Sequence, residues 1–185
     1  MSGVYEIAKE LFITPTGASG LAQIDWRLND IGIALINYAN YIPAVYASEA
    51  AAFDIATGDA TYADLLVHTN VVHTVLTGTD TDELGAVLGS TLLPPVGGLP
   101  FGNRETRADG VGGVADAGDV IFKMVASIPA KDPISGLVIY DFTSGVNLTS
   151  PLICLVDLTG SPVIPNTGDI KVAWDNTVGL RMFAI

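Results

Sequence analysis

The C-terminal third of this chain constrains its fold more than any other part. Four short apolar runs follow one another: VIFKMVASI (120–128), GLVIYDF (136–142), PLICLVDL (151–158) and DIKVAW (169–174), with LRMFAI closing the chain. The connections carry Pro133, Gly136, Gly145, Gly160, Pro162, Pro165 and Gly168. Gaps this short leave no room for the crossover helices that parallel strands need. The pattern predicts a mainly β fold, an antiparallel β-sandwich of jelly-roll or Ig-like type. In 169–174, Ile170, Val172 and Trp174 share one face and Asp169, Lys171 and Ala173 the other, as in a half-buried strand. LVIY and LICLV are apolar on both faces, which suits central strands covered on both sides. Val138, Tyr140, Ile153, Leu155, Val172 and Trp174 are the expected contributors to buried faces.

The N-terminus reads differently. Val4, Ile7, Ala8, Leu11 and Phe12 recur at helical spacing, which predicts a short helix over 4–13. Ser2 is its expected N-cap and Pro15 its stop. AQIDW (22–26) and IGIALINY (31–38) read as strands around an Asn29-Asp30 turn. The alanines at 50–52 and the segment Tyr62 to Leu66 suggest helical turns. Leu66 to Leu76, rich in Val and Thr, reads as strand. Thr81 followed by Asp82 and Glu83 reads as the capped start of a short helix ending near Leu88. In 89–118, eleven of thirty positions are Gly or Pro. That density predicts a long loop or arm without regular elements. The chain thus reads as one domain, 1–185, with an insertion or extended arm within 47–118.

Composition excludes several functions. Twenty acidic residues against eight basic ones give a net charge of −12. Nucleic-acid affinity comes mainly from Lys and Arg on phosphates, so no nucleic-acid partner is expected. An anionic membrane surface is excluded for the same reason. The long uncharged stretches 31–48 and 84–103 are broken by Asn, Pro and Gly, so neither reads as a membrane span. The first ten residues hold Glu6, Lys9 and Glu10 and no apolar run, so no secretory signal is expected. The single cysteine, Cys154, allows no internal disulfide or cysteine zinc cluster. It lies among strand-forming aliphatics and reads as a buried, inert thiol.

No convergent catalytic pattern is legible. There is no nucleophile elbow, phosphate loop or dinucleotide fingerprint. His68 and His73, five apart on an expected strand, would point to opposite faces and could not share a metal. Asp80, Asp82 and Glu83 lack the spacing of a calcium loop. Trp26 and Trp174 read as core or sheet-edge aromatics. A non-enzymatic protein with no catalytic residue, metal, cofactor or small-molecule ligand is the expectation. Arg104 and Arg107, two of four arginines, cluster in the Gly/Pro-rich segment of an acidic protein. They are the expected intermolecular contacts, because a guanidinium pairs carboxylates bidentately.

The segments GLVIYDFTSG (136–145), TSPLICLVDL (149–158) and PVIPNTGDIKVAWDNTVGLRMFAI (162–185) resemble small β-rich virion proteins of tailed bacteriophages. DGVGGVADAGDVIF (109–122), the N-terminal amphipathic segment and QIDW followed by IALI fit the same likeness. Members often carry Lys where this chain has Asp141, and residues 47–105 are longer here. The resemblance implies a structural protein of the virion, assembled in the host cytoplasm. Its foremost role would be a capsid decoration or cement protein bridging capsomers, with the major capsid protein or copies of itself as partner. A tail, neck or fibre-attachment protein is the alternative within the virion. A carbohydrate-binding module or a glycan hydrolase on a sandwich scaffold is the alternative outside it.

Overall fold

In a computed structural model the described residues are 2–14, 20–26, 28–73, 81–82, 98–100, 105–108, 113–116, 119–123, 125–173 and 183–184. They form β1 (Ser2–Val4), α1 (Glu6–Ile13), β2 (Ile31–Ile36), α2 (Glu49–Phe53), α3 (Tyr62–Val67), β3 (Thr81–Asp82), β4 (Gly98–Pro100), β5 (Glu105–Ala108) and β6 (Gly113–Asp116). After these come β7 (Val120–Phe122), β8 (Gly136–Asp141), a 3-10 turn (Asn147–Thr149), β9 (Leu152–Asp157), β10 (Ile170–Val172) and β11 (Phe183–Ala184). The architecture is β-rich and antiparallel, with a few short helices. The main sheet has the order β1-β9-β8-β2-β4; two three-stranded sheets run β10-β7-β3 and β11-β6-β5.

The main sheet is covered on both faces, which is why β2 and β8 are buried at every position. Register places Leu35, Leu137 and Val156 side by side on one face. These three line a cavity of about 270 Å3 whose far wall includes Ile170 and Val172 of β10, with Ile134, Leu158 and Val163 completing the aliphatic lining. Tyr140, three residues from Leu137, points to the opposite face, since side chains alternate along a strand. There its ring stacks on Tyr62 of α3, centroids 4.1 Å apart. Val138, Leu155 and Gly3 share that second face by register. A Cβ at Gly3 would run into the Phe53 ring of α2.

The expected core is largely realised. Val138, Tyr140, Ile153, Leu155 and Val172 are buried, as are Ile7, Leu11, Trp26 and Cys154, and Phe12 packs against them half-buried. The side chain of Trp174 lies outside the described residues, as does Pro15. Residues 47–73 join the same core through Ala52, Tyr62, Leu65, Val71 and Val72. No helix among the described residues is long and apolar enough to cross a membrane.

Several local expectations are corrected. Ser2 is not an N-cap: Ser2–Val4 pairs with β9 as an edge strand, and Tyr5 in extended conformation caps α1 instead. Pairing with Cys154, Leu155 and Val156 satisfies backbone groups that a first helical turn would leave open. Residues 22–26 form no strand. The expected strand at 66–76 is mostly overruled by a capping box. Thr61 accepts from the Asp64 N–H while Asp64 reaches back to the Thr61 N–H, and α3 then runs to Val67. Among the described residues of this segment only Val72 bridges the sheet, beside Ile36, and 74–76 lie outside the described residues. Thr81–Asp82 pairs with β7 as a strand where the sequence predicts the start of a helix, and 83–88 lie outside the described residues. The Gly/Pro-rich segment also contains regular structure. β4 extends the main sheet beside β2, and β5 pairs with β6. Non-local pairing overrides the low strand propensity of these glycines.

Candidate functional site

Among the described residues the densest polar constellation is centred on Asp59, a carboxylate only 5% exposed. Tyr46 donates its hydroxyl to Oδ1 at 2.7 Å and Tyr41 donates to Oδ2 at 3.0 Å. His68 Nε2 lies 3.2 Å from both oxygens. The Tyr41 proton is committed to Asp59, so Tyr5, 3.2 Å away, donates to the Tyr41 oxygen. The rings brace one another: Tyr41 and Tyr46 meet edge-on at 5.5 Å, and Tyr46 and His68 at 5.9 Å.

Local sequence explains how Asp59 reaches this place. Ser48 accepts from the Ala51 N–H and starts α2; the helix ends at Phe53, and Asp54 then holds Ala56 N, Thr57 N and the Thr57 hydroxyl at 2.9 Å each. These three donors keep the Asp54 carboxyl below the usual range, the Thr57 hydroxyl contributing most. The turn brings Gly58 against the end of α2, where an added Cβ would lie 2.2 Å from the Ala52 carbonyl oxygen. Only a glycine permits that approach. Asp59 N then donates to Ala52 O, which aims the next side chain inward.

This geometry makes a clamp. Two tyrosine hydroxyls and the His68 Nε2 converge on the carboxylate, so most of its acceptor capacity is taken up within the fold. The tyrosines are held as phenols: burial, then the proximity of Tyr5 and Asp59, raises the Tyr41 pKa far above its ordinary value. Burial and the hydrogen bond to Asp59 do the same for Tyr46.

No protein-family model, curated protein or solved structure matches this chain. What its residues can do is therefore read from their placement. His68 and His73 do not share a strand; His68 caps α3 on Asp59, while His73 is fully buried beside Asp132. Among the described residues no group of three or more His, Cys, Asp or Glu could hold a metal. Cys154 is buried, and burial pushes its thiol pKa well up. Asp141 sits at the end of β8, where it accepts from the Asn29 side-chain amide and, at 2.8 Å, from Thr143 N. A Lys could accept neither bond.

Arg104 lies outside the described residues, as do Asp80 and Glu83. Arg107 falls on β5 opposite Val114. Its side chain, like Arg104, lies outside the described residues. The Asp59 cluster escapes sequence reasoning because its five members come from separate segments. The one local signal is the crowding of tyrosines at 38, 41 and 46.

Proposed function

We propose that this chain is a non-enzymatic structural protein of a tailed-phage particle, foremost a capsid decoration or cement protein that bridges neighbouring capsomers. The observation that carries the reading is a five-stranded sheet covered on both faces and clamped by a buried polar node, a rigid body suited to bearing load. The strand motifs shared with small virion proteins support it. So does the charge of −12, which keeps such a body soluble and off the packaged genome.

In this reading the β10-β7-β3 sheet is the second layer of a sandwich, with the aliphatic cavity at the seam. Residues 89–118, within which β4 pairs with the main sheet, serve as the contact element toward the major capsid protein or a second copy. Arg104 and Arg107 then pair carboxylates across that interface. At the end of the sheet where Asp30 meets Phe142 and Thr143, Leu28, Val146 and Leu148 are exposed, which suits a contact surface.

The test is to add purified protein to particles lacking it and measure occupancy by quantitative gel analysis and cryo-electron microscopy. Density at many equivalent positions on the head supports decoration. A few copies at the tail or neck would move the protein there, and binding to a glycan array without particle binding would overturn the virion reading. Deleting 95–112 is a poor probe of the contact element, because it removes β4 from the sheet. Arg104→Ala with Arg107→Ala is the appropriate variant; unchanged occupancy would remove the arginines from the interface.

A further inference from the structure

Outside the Asp59 node lies a second buried polar group, where residues 36–40, 70–73 and 127–135 meet. His73 is 0% exposed, and neither ring nitrogen has a hydrogen-bond partner. Its nearest charged atom is Asp132 Oδ1, 3.6 Å from Nε2 and likewise without a hydrogen-bond partner. The other Asp132 oxygen accepts from the Ser127 hydroxyl. Buried polar groups are nearly always satisfied, so two orphans facing one another stand out.

The surrounding contacts are neutral. Asn37 Nδ2 donates to Asp132 O at 2.8 Å, and Asn40 Nδ2 reaches Asn70 O at 2.8 Å and Ala130 O at 3.0 Å. Tyr38 N donates to Ser135 Oγ at 3.0 Å, Asn37 N to Val71 O at 2.9 Å and His73 N to Leu35 O at 2.9 Å. Among the described residues the charged neighbours come from the 127–135 segment: Asp132, which attracts an imidazolium, and Lys131, which repels one. Tyr38, the titratable group on the 36–40 segment, has its hydroxyl committed to Glu49. His73 is the group here whose ordinary range falls near neutrality.

We propose that this three-segment junction is an acid-sensitive latch, with His73 as its sensor and Asp132 as the carboxylate it faces. Above neutrality the ring is uncharged and the segments stay closed around it. On acidification the ring gains a proton in a site that offers one unpaired carboxylate oxygen and a repelling lysine. Hydrating that charge requires 70–73 and 128–135 to part. Burial holds the His73 pKa below its ordinary value, with Asp132 pulling it back part of the way. The unfolded or opened chain therefore binds the proton first. The stability contributed by the neutral ring is complete above about pH 6.5, and is lost as pH falls through the lowered folded value.

Hydrogen exchange of the full chain between pH 7.5 and 5.5, corrected for intrinsic rates, tests the latch. The opening constant of 70–73 and 128–135 should stay level down to about pH 6.5 and then rise by up to about tenfold per pH unit, the effect of one proton, while β8 amides stay protected. His73→Phe should flatten that dependence. Equal loss of protection in β8, or an unchanged dependence in His73→Phe, overturns the proposal. Should that variant fail to fold, nuclear magnetic resonance titration of the His73 ring in the native chain decides. A midpoint below 6.5 supports the latch, and one at or above 6.5 overturns it.

Discussion

At the scale of single residues, burial and hydrogen bonding decide what each substitution does. Asp59→Ala removes the acceptor for two tyrosines and a histidine. An unsatisfied buried donor costs about 1–3 kcal/mol, so a loss on the order of 3 kcal/mol is expected in urea unfolding. Tyr46→Phe, at the half-exposed rim, should lose only about 1 kcal/mol. Because both act on one node, the pair should fall short of additivity. Thr167 holds a left-handed φ of 69°, unusual for a β-branched side chain. Thr167→Asn should raise stability by about 0.5–1 kcal/mol, seen as a higher unfolding midpoint. Cys154 should stay unreactive toward an aromatic disulfide reagent in the native protein and react once denatured. The inertness of this thiol is legible in LICLV. The Asp59 node is not, because no local spacing connects Tyr5 to Asp59 or His68.

At the scale of elements, the sequence is a good guide where periodicity is strong and a poor one where partners are remote. The Leu11 stripe is plain from its spacing, and Leu11→Ala should cost on the order of 2–5 kcal/mol through the cavity it leaves, measurable as a lowered Tm. The same spacing runs through Val4, yet Val4 belongs to β1. What decides is a strand more than a hundred residues away, beyond any local window. The capping box at Thr61 shows the reverse case, in which a local hydrogen-bond pair overrules β-prone composition just downstream. Gly98 and Pro100 read as loop, yet they add an edge strand because β2 offers them the backbone groups on the side that β8 does not take. Gly58→Ala should cost more than an ordinary surface change, about 2 kcal/mol or above, because backbone at Ala52 must move and Asp59 moves with it.

At the scale of the whole molecule, the main sheet orders strands from both ends of the chain. Ser2 sits opposite Val156, and β2 pairs with β8 along six residues. The unbroken apolar runs LVIY and LICLV make β8 and β9 legible as covered central strands, but not that an N-terminal strand will flank them. This topology also sets when folding can occur. Contacts between distant segments form slowly, because a long loop must close before they stabilise anything. While the chain is being synthesised, β2 waits for β8 to complete its longest pairing, and β1 has no strand to join until β9 has emerged beyond residue 150. The latter half thus templates the former, and a nascent chain halted near 130, before β8, should be digested by protease at rates typical of an unstructured polypeptide. The completed protein withstands the same treatment only after its first and ninth strands have met.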